Sequence, residues 1–160
     1  MLIISIDGSI NHIGWCKWHW ASFTPKPLSI GVFETHGADE LAKARYISSH
    51  LRNTVLGPTY SPVEYLVIEK VYIANNRSNR NPQSILKLSM SVGAIVGSFG
   101  DAMPHYAPDH LTKAKAITLA ASYGFEINKK ECHSADALSV GHAWVSKMKS
   151  TTINPAYIEQ

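Results

Sequence analysis

The chain has 160 residues, 45% of them hydrophobic and 17% charged, which points to one globular domain with a single substantial core and leaves out repeat and low-complexity architectures. A net charge of +3 permits a polyanionic partner without requiring one. Cys16 and Cys132 form neither a metal-type spacing nor a disulfide framework, the apolar start is too short for a signal peptide and no stretch is long enough to cross a membrane, so reducing cytoplasm is the expected setting, or host cytoplasm or an organelle matrix for a viral or organellar chain.

Leu2-Ile3-Ile4-Ser5-Ile6 is a short β-favouring run that stops at Asp7-Gly8-Ser9. Asn11 and Gly14 read as turn residues, and Trp15 to Trp20 alternates like a half-buried strand. Thr24-Pro25-Lys26-Pro27 reads as a turn, and Leu28 to Phe33 as a third strand forming a meander with the first two. From Gly37 to Val55 the period becomes helical, with Leu41, Ala44, Ile47, Leu51 and Val55 on one face.

Tyr65-Leu66-Val67-Ile68 is an unbroken apolar run ending in Glu69, the pattern of a strand covered on both faces in a parallel position. Asp7 and Glu69 thus share one context, an acid immediately after a buried strand. Either acid alone could simply open a turn. Two of them on central parallel strands would emerge at one sheet edge, where open α/β folds place their sites.

Lys70 to Arg80 is polar around Tyr72, and Asn81-Pro82 resembles the start of a helix. That helix carries Ile85, Leu88, Val92, Ile95 and Phe99 on one side. Ser89, Gly93 and Gly97 form a row of small residues, open to two accounts: tight packing on the sheet, or a subunit interface. Met103 to Tyr106 is a strand candidate. Thr112 to Tyr123 reads as a helix with Ala114, Ile117, Ala120 and Ala121 inward and Lys113 and Lys115 near its start. A last helix is expected from about Ser134, with Ala137, Leu138, Gly141, Val145 and Met148 buried. Three strands, then helix, strand, helix, strand and two helices, argue for an α/β domain, residues 1–149, built on a mixed five-stranded sheet with helices on both faces. Residues 150–160 read as a tail.

His133 and Asp136 stand three apart at the start of the last helix, where both can point the same way. Either could be a structural residue at a helix start. With Asp7 and Glu69 they make four metal-competent groups from three distant parts of the chain. Oxygen-rich sets of this kind suit Mg²⁺ or Mn²⁺, and a pair of such ions can activate water against a phosphodiester.

Taken in order, these segments resemble the RuvC-type Holliday-junction resolvases of the ribonuclease H-like nucleases. Ile6-Asp7-Gly8-Ser9 with Gly14 resembles their first motif, and Val67-Ile68-Glu69-Lys70-Val71-Tyr72 with Ala74-Asn75-Asn76 the second. Ser84-Ile85-Leu86-Lys87-Leu88 runs on into the long helix. Tyr106-Ala107-Pro108 resembles the segment ahead of the catalytic lysines, and Ser134-Ala135-Asp136-Ala137-Leu138-Ser139-Val140 the final motif. The resemblance spans nearly the whole chain. It implies a ribonuclease H-like fold and a homodimeric endonuclease that nicks two strands of a four-way DNA junction symmetrically. It also implies two metal ions held by Asp7, Glu69, His133 and Asp136. Tyr72 falls at the family's junction-contacting aromatic, and the segment between Pro108 and Ala116 is shorter than the family's, leaving Lys113 and Lys115 as candidates for the scissile phosphate. Lys70, Arg77, Arg80, Lys129 and Lys130 are further candidate DNA contacts, or simply a solvated surface. Where the family usually has an acid, His133 offers a softer, uncharged ligand better suited to Mn²⁺ than to Mg²⁺.

Three rivals stand beside this reading. Actin-like ATPases also open on an acid-glycine hairpin, but they need a second lobe that 160 residues cannot supply. A module that binds branched DNA without cutting it has no use for clustered acids. Cleavage of RNA–DNA hybrids or of linear DNA by a related nuclease stays open.

Overall fold

The computed structural model describes residues 1–21, 24–57, 62–69, 82–107, 111–128 and 131–152. The candidate residues Lys70, Tyr72, Arg77, Arg80, Lys129 and Lys130, together with Asn81, lie outside these.

Among the described residues, five strands and four helices follow the expected order: β1 (Leu2–Asp7), β2 (His12–Ala21), β3 (Thr24–Glu34), α1 (Glu40–Leu56), β4 (Tyr65–Glu69), α2 (Pro82–Ser98), β5 (Met103–Ala107), α3 (Lys113–Ser122) and α4 (Cys132–Thr152). The strands form one sheet in the order β3-β2-β1-β4-β5. β1, β2 and β3 pair antiparallel, whereas β4 runs parallel to both β1 and β5. The apolar runs of β1 and β4 are therefore central, and each face of the sheet has its own core. Ile4, Ile6, Leu66 and Ile68 point to one side and pack with Ile47, Leu51 and Ile95 of α1 and α2. Ile3 and Val67 point to the other and pack with Ala116, Leu138 and Trp144 of α3 and α4. The strict side alternation along a strand accounts for this division.

Two local features anchor α1: Asp39 accepts the Ala42 amide at 2.8 Å as N-cap, and Gly57 closes the helix at φ 69°, a conformation that favours glycine. Ile47, Leu51 and Val55 are buried as the period requires, but Leu41 in the first turn is exposed.

Several expectations are corrected. The Pro25–Pro27 segment is strand rather than turn, with Pro25 opposite Trp20 and Pro27 opposite Trp18. β3 is an edge strand, where a residue without an N–H need not interrupt the ladder. The β2–β3 register shifts after Lys17, leaving Leu28 without an opposite partner, and Leu28 is exposed. In α2 the inward residues are Ser91, Ala94, Ile95 and Ser98, with Phe99 just beyond the helix. Small side chains on this face let α1 approach, and Ser98 Oγ reaches the Ile47 carbonyl at 3.1 Å. The Ser89, Gly93 and Gly97 row is exposed instead, and among the described residues nothing lies within 4 Å of a Cβ added at either glycine, so it does not pack on the sheet. α3 buries Ala116 and Ala120 and exposes Ala114, Ile117 and Ala121. Alanines carry little periodic signal, so its phase is decided by contact with α4. That last helix starts two residues earlier than expected, at Cys132, and continues through Thr152.

Candidate metal centre

Asp7 ends β1 and Glu69 ends β4. The parallel register pairs Ile6 with Ile68, so both acids leave the sheet at the same edge on neighbouring strands, as their sequence context implied. Glu69 is half-buried, opposite Ala107 of β5.

The first turn of α4 lies against this edge because two glycines and a serine let it in. Gly14 is a buried β2 residue paired with Asp7, not part of a turn, which is made by residues 8–11. A Cβ on Gly14 would stand 1.8 Å from the His133 carbonyl oxygen, so only glycine allows the helix backbone to rest there. Further along, Ser5 Oγ donates to the Ala137 carbonyl at 2.7 Å and accepts from Trp18 Nε1 at 2.9 Å. Gly141 leaves room for that pair, since a Cβ there would come within 2.5 Å of both partner atoms. Ser5, the one polar residue inside the apolar run Leu2 to Ile6, is the sequence signal of this tie to α4. Trp15, set over Gly31, and Trp20, edge-on to Trp144, also serve packing.

Held in this way, His133 turns its Nδ1 to Asp7 Oδ2 at 2.8 Å. Asp7, His133 and Asp136 each offer a ligand atom within 4.8 Å of the others. Two carboxylates crowded at that range repel unless a cation or a proton lies between them. Two oxygen donors and one imidazole nitrogen, all half-buried, fit a divalent cation of the Mg²⁺ or Mn²⁺ class. Glu69 stands at the same edge but outside that tight group. The structure therefore brings three of the four expected ligands together and sets the fourth on the adjacent strand.

The two candidate lysines separate. Lys113 is the first residue of α3, and a hydrogen bond to Cys132 together with the charges of Asp136 and Asp7 holds its ammonium above the usual lysine range. Lys115 is two positions on, where a helix turns its side chain away by more than half a revolution. One more residue belongs to the neighbourhood without having been expected: His12, the first residue of β2, whose ring is parallel to that of His133.

No protein-family model and no curated protein matches the chain in sequence. Solved structures do match in fold. Thermus thermophilus RuvC in complex with a Holliday junction substrate superimposes at a TM-score of 0.66 and 18% identity, over 92% of this chain and 96% of that one. Another structure of Thermus thermophilus RuvC gives 0.60 at the same identity and coverage. The Fowlpox virus resolvase with its Holliday junction DNA gives 0.56 at 15% identity, over 92% of this chain and 99% of that one. The chain therefore has the RuvC-like ribonuclease H fold that its motifs resemble.

Proposed function

We propose that the chain is a structure-selective DNA endonuclease that resolves four-way junctions by paired symmetric nicks. The observation that carries this is the convergence of Asp7, His133 and Asp136 at the edge of parallel strands, on a fold shared with proteins solved in complex with Holliday junctions. Asp7, Glu69, His133 and Asp136 would hold the Mg²⁺ or Mn²⁺ ions, two in the full reading. Bound there, such ions supply an activated water and neutralise charge on the phosphodiester.

The protein's own groups do the rest. As the carboxylate acceptor for the His133 Nδ1–H, Asp7 orients the imidazole. Lys113 holds a fixed positive charge beside the acids, where its Nζ can hydrogen-bond a non-bridging phosphate oxygen. Tyr72, Lys70, Arg77, Arg80, Lys129 and Lys130 are proposed to contact the DNA, the aromatic by stacking at the junction point and the cations through phosphates.

The test is cleavage of a labelled four-way junction, a linear duplex and an RNA–DNA hybrid, each with Mg²⁺, Mn²⁺ or EDTA. Symmetric nicks in the junction alone, abolished by EDTA, are expected. Preferential cutting of the hybrid or the linear duplex would replace this reading with that of a related nuclease, and metal-dependent binding without cutting would leave a recognition module.

Lys113→Ala is expected to slow single-turnover junction cleavage by about ten- to a hundredfold, the scale of losing one charge-stabilising donor. Lys115→Ala should stay within about twofold, because its side chain leaves the other side of the helix. Equal loss in the two variants would show that neither is placed at the phosphate.

A junction is close to two-fold symmetric, so paired nicks need two sites in fixed relation, which a homodimer provides. The proposed interface uses the outward face of α2, where Leu86 is 61% exposed and Ser89, Gly93 and Gly97 leave a shallow path for a second helix. Among the described residues, a Cβ added at Gly93 meets nothing within 4 Å. Gly93→Leu should therefore fold normally and raise the dimer dissociation constant by about tenfold or more in sedimentation. Wild-type protein that sediments as a monomer, with and without junction DNA, would remove the dimer from the proposal.

A further inference from the structure

His133 has a second neighbour besides Asp7. Its ring and that of His12 are parallel to within 4°, with centroids 5.9 Å apart, an offset stack. The backbone that carries His12 is held firmly for an exposed turn. Ser9 Oγ accepts the His12 amide at 3.1 Å and that of Asn11 at 3.3 Å, which shapes the turn between β1 and β2. From the other side, Thr35 donates its amide to the Asn11 carbonyl at 3.0 Å, and Lys43 Nζ donates to Asn11 Oδ1 at 2.8 Å. Ser91 Oγ donates to the Ser9 carbonyl at 3.1 Å and ties the same turn to α2. Four side chains and two strands thus fix the backbone from which the His12 ring lies against a member of the candidate metal centre.

We propose that His12 is a positioning residue for that centre: its ring, stacked on His133, holds the imidazole in the plane in which its Nδ1 meets Asp7. This rests on the metal-centre reading above. A single hydrogen bond to Asp7 fixes the direction of Nδ1 but leaves the ring free to rotate about it. A parallel ring against its face removes that freedom. The role needs an aromatic face at position 12 and no particular nitrogen, which separates it from ligation.

The experiment uses the full chain without DNA and titrates Mn²⁺ by calorimetry into wild type, His12→Ala, His12→Phe and His133→Ala, with thermal melts of each. His12→Ala should weaken Mn²⁺ about two- to tenfold, the equivalent of one lost aromatic pair. His12→Phe should bind within about twofold of wild type. In pulsed electron paramagnetic resonance, nitrogen modulation of bound Mn²⁺ should survive in His12→Phe, where His133 is the intended source, and vanish in His133→Ala. Wild-type affinity in His12→Ala would overturn the proposal, as would a His12→Phe variant as weak as His12→Ala. Loss of nitrogen modulation in His12→Phe would overturn it by making His12 a ligand. A wild-type protein that binds no Mn²⁺ would sink the metal centre itself, and that outcome is distinct from all of these.

Discussion

Asp7→Asn should reduce four-way junction cleavage by at least about a hundredfold while leaving junction affinity within a few-fold of wild type. The side chain keeps its shape, and its amide oxygen can still face the His133 ring, so the fold has no reason to change. What is lost is one full negative charge from a group in which every ligand atom lies within 4.8 Å of the others. Removal of one charge-stabilising group from an active site typically costs two to three powers of ten in rate. Affinity follows a different rule, since phosphate contacts by Lys and Arg dominate it and a carboxylate facing a phosphate opposes it. The check pairs single-turnover cleavage in Mg²⁺ and Mn²⁺ with gel-shift binding in EDTA. An Asp7→Asn enzyme that cuts at the wild-type rate would remove Asp7 from the catalytic set.

Gly14→Ala should damage both stability and activity, although the change adds a single methyl group. The new Cβ would meet the His133 carbonyl oxygen at 1.8 Å, its carbon at 2.3 Å and the Ser134 amide nitrogen at 3.0 Å. All three are backbone atoms and cannot rotate aside, so either β2 or the first turn of α4 must shift. Overpacking of this kind costs about 1–3 kcal/mol, and in a chain of this size each kcal/mol lowers the melting temperature by about 2–4 °C. The turn that must move carries His133, whose Nδ1 sits 2.8 Å from Asp7. A displacement near 1 Å in such a site can cost about a hundredfold in rate. Gly93→Ala provides the contrast: its Cβ meets none of the described residues within 4 Å, and helix propensity favours Ala over Gly by up to about 1 kcal/mol. Comparable melting temperatures for Gly14→Ala and wild type, with full activity, would mean that α4 does not rest on Gly14 as described.

Much of the fold was legible in the chain because it is encoded by periodicity and by where apolar runs stop. Leu2 to Ile6 and Tyr65 to Ile68 are central strands because a strand covered on both faces has no polar alternation. The same logic singled out Asp7 and Glu69, since an acid directly after such a run stands at the sheet's edge. His133 and Asp136 were legible through their three-residue spacing. The prolines of β3 misled because proline is read as a breaker, and only the sheet order reveals that they occupy an edge. Alanine-rich α3 misled for the opposite reason, having no strong apolar stripe to report its phase.

By itself the sequence determined the order of elements, the parallel placement of β1 and β4 and the types of residue available for chemistry, since these depend on local pattern. Only the tertiary structure decided which of those residues meet. Gly14 serves the approach of α4 and not a turn, Ser5 ties β1 to Ala137, and His12 lies against His133. Each of these joins positions distant along the chain. Such contacts depend on how a helix is rotated and how closely backbones pass, and neither hydrophobic period nor residue type carries that information.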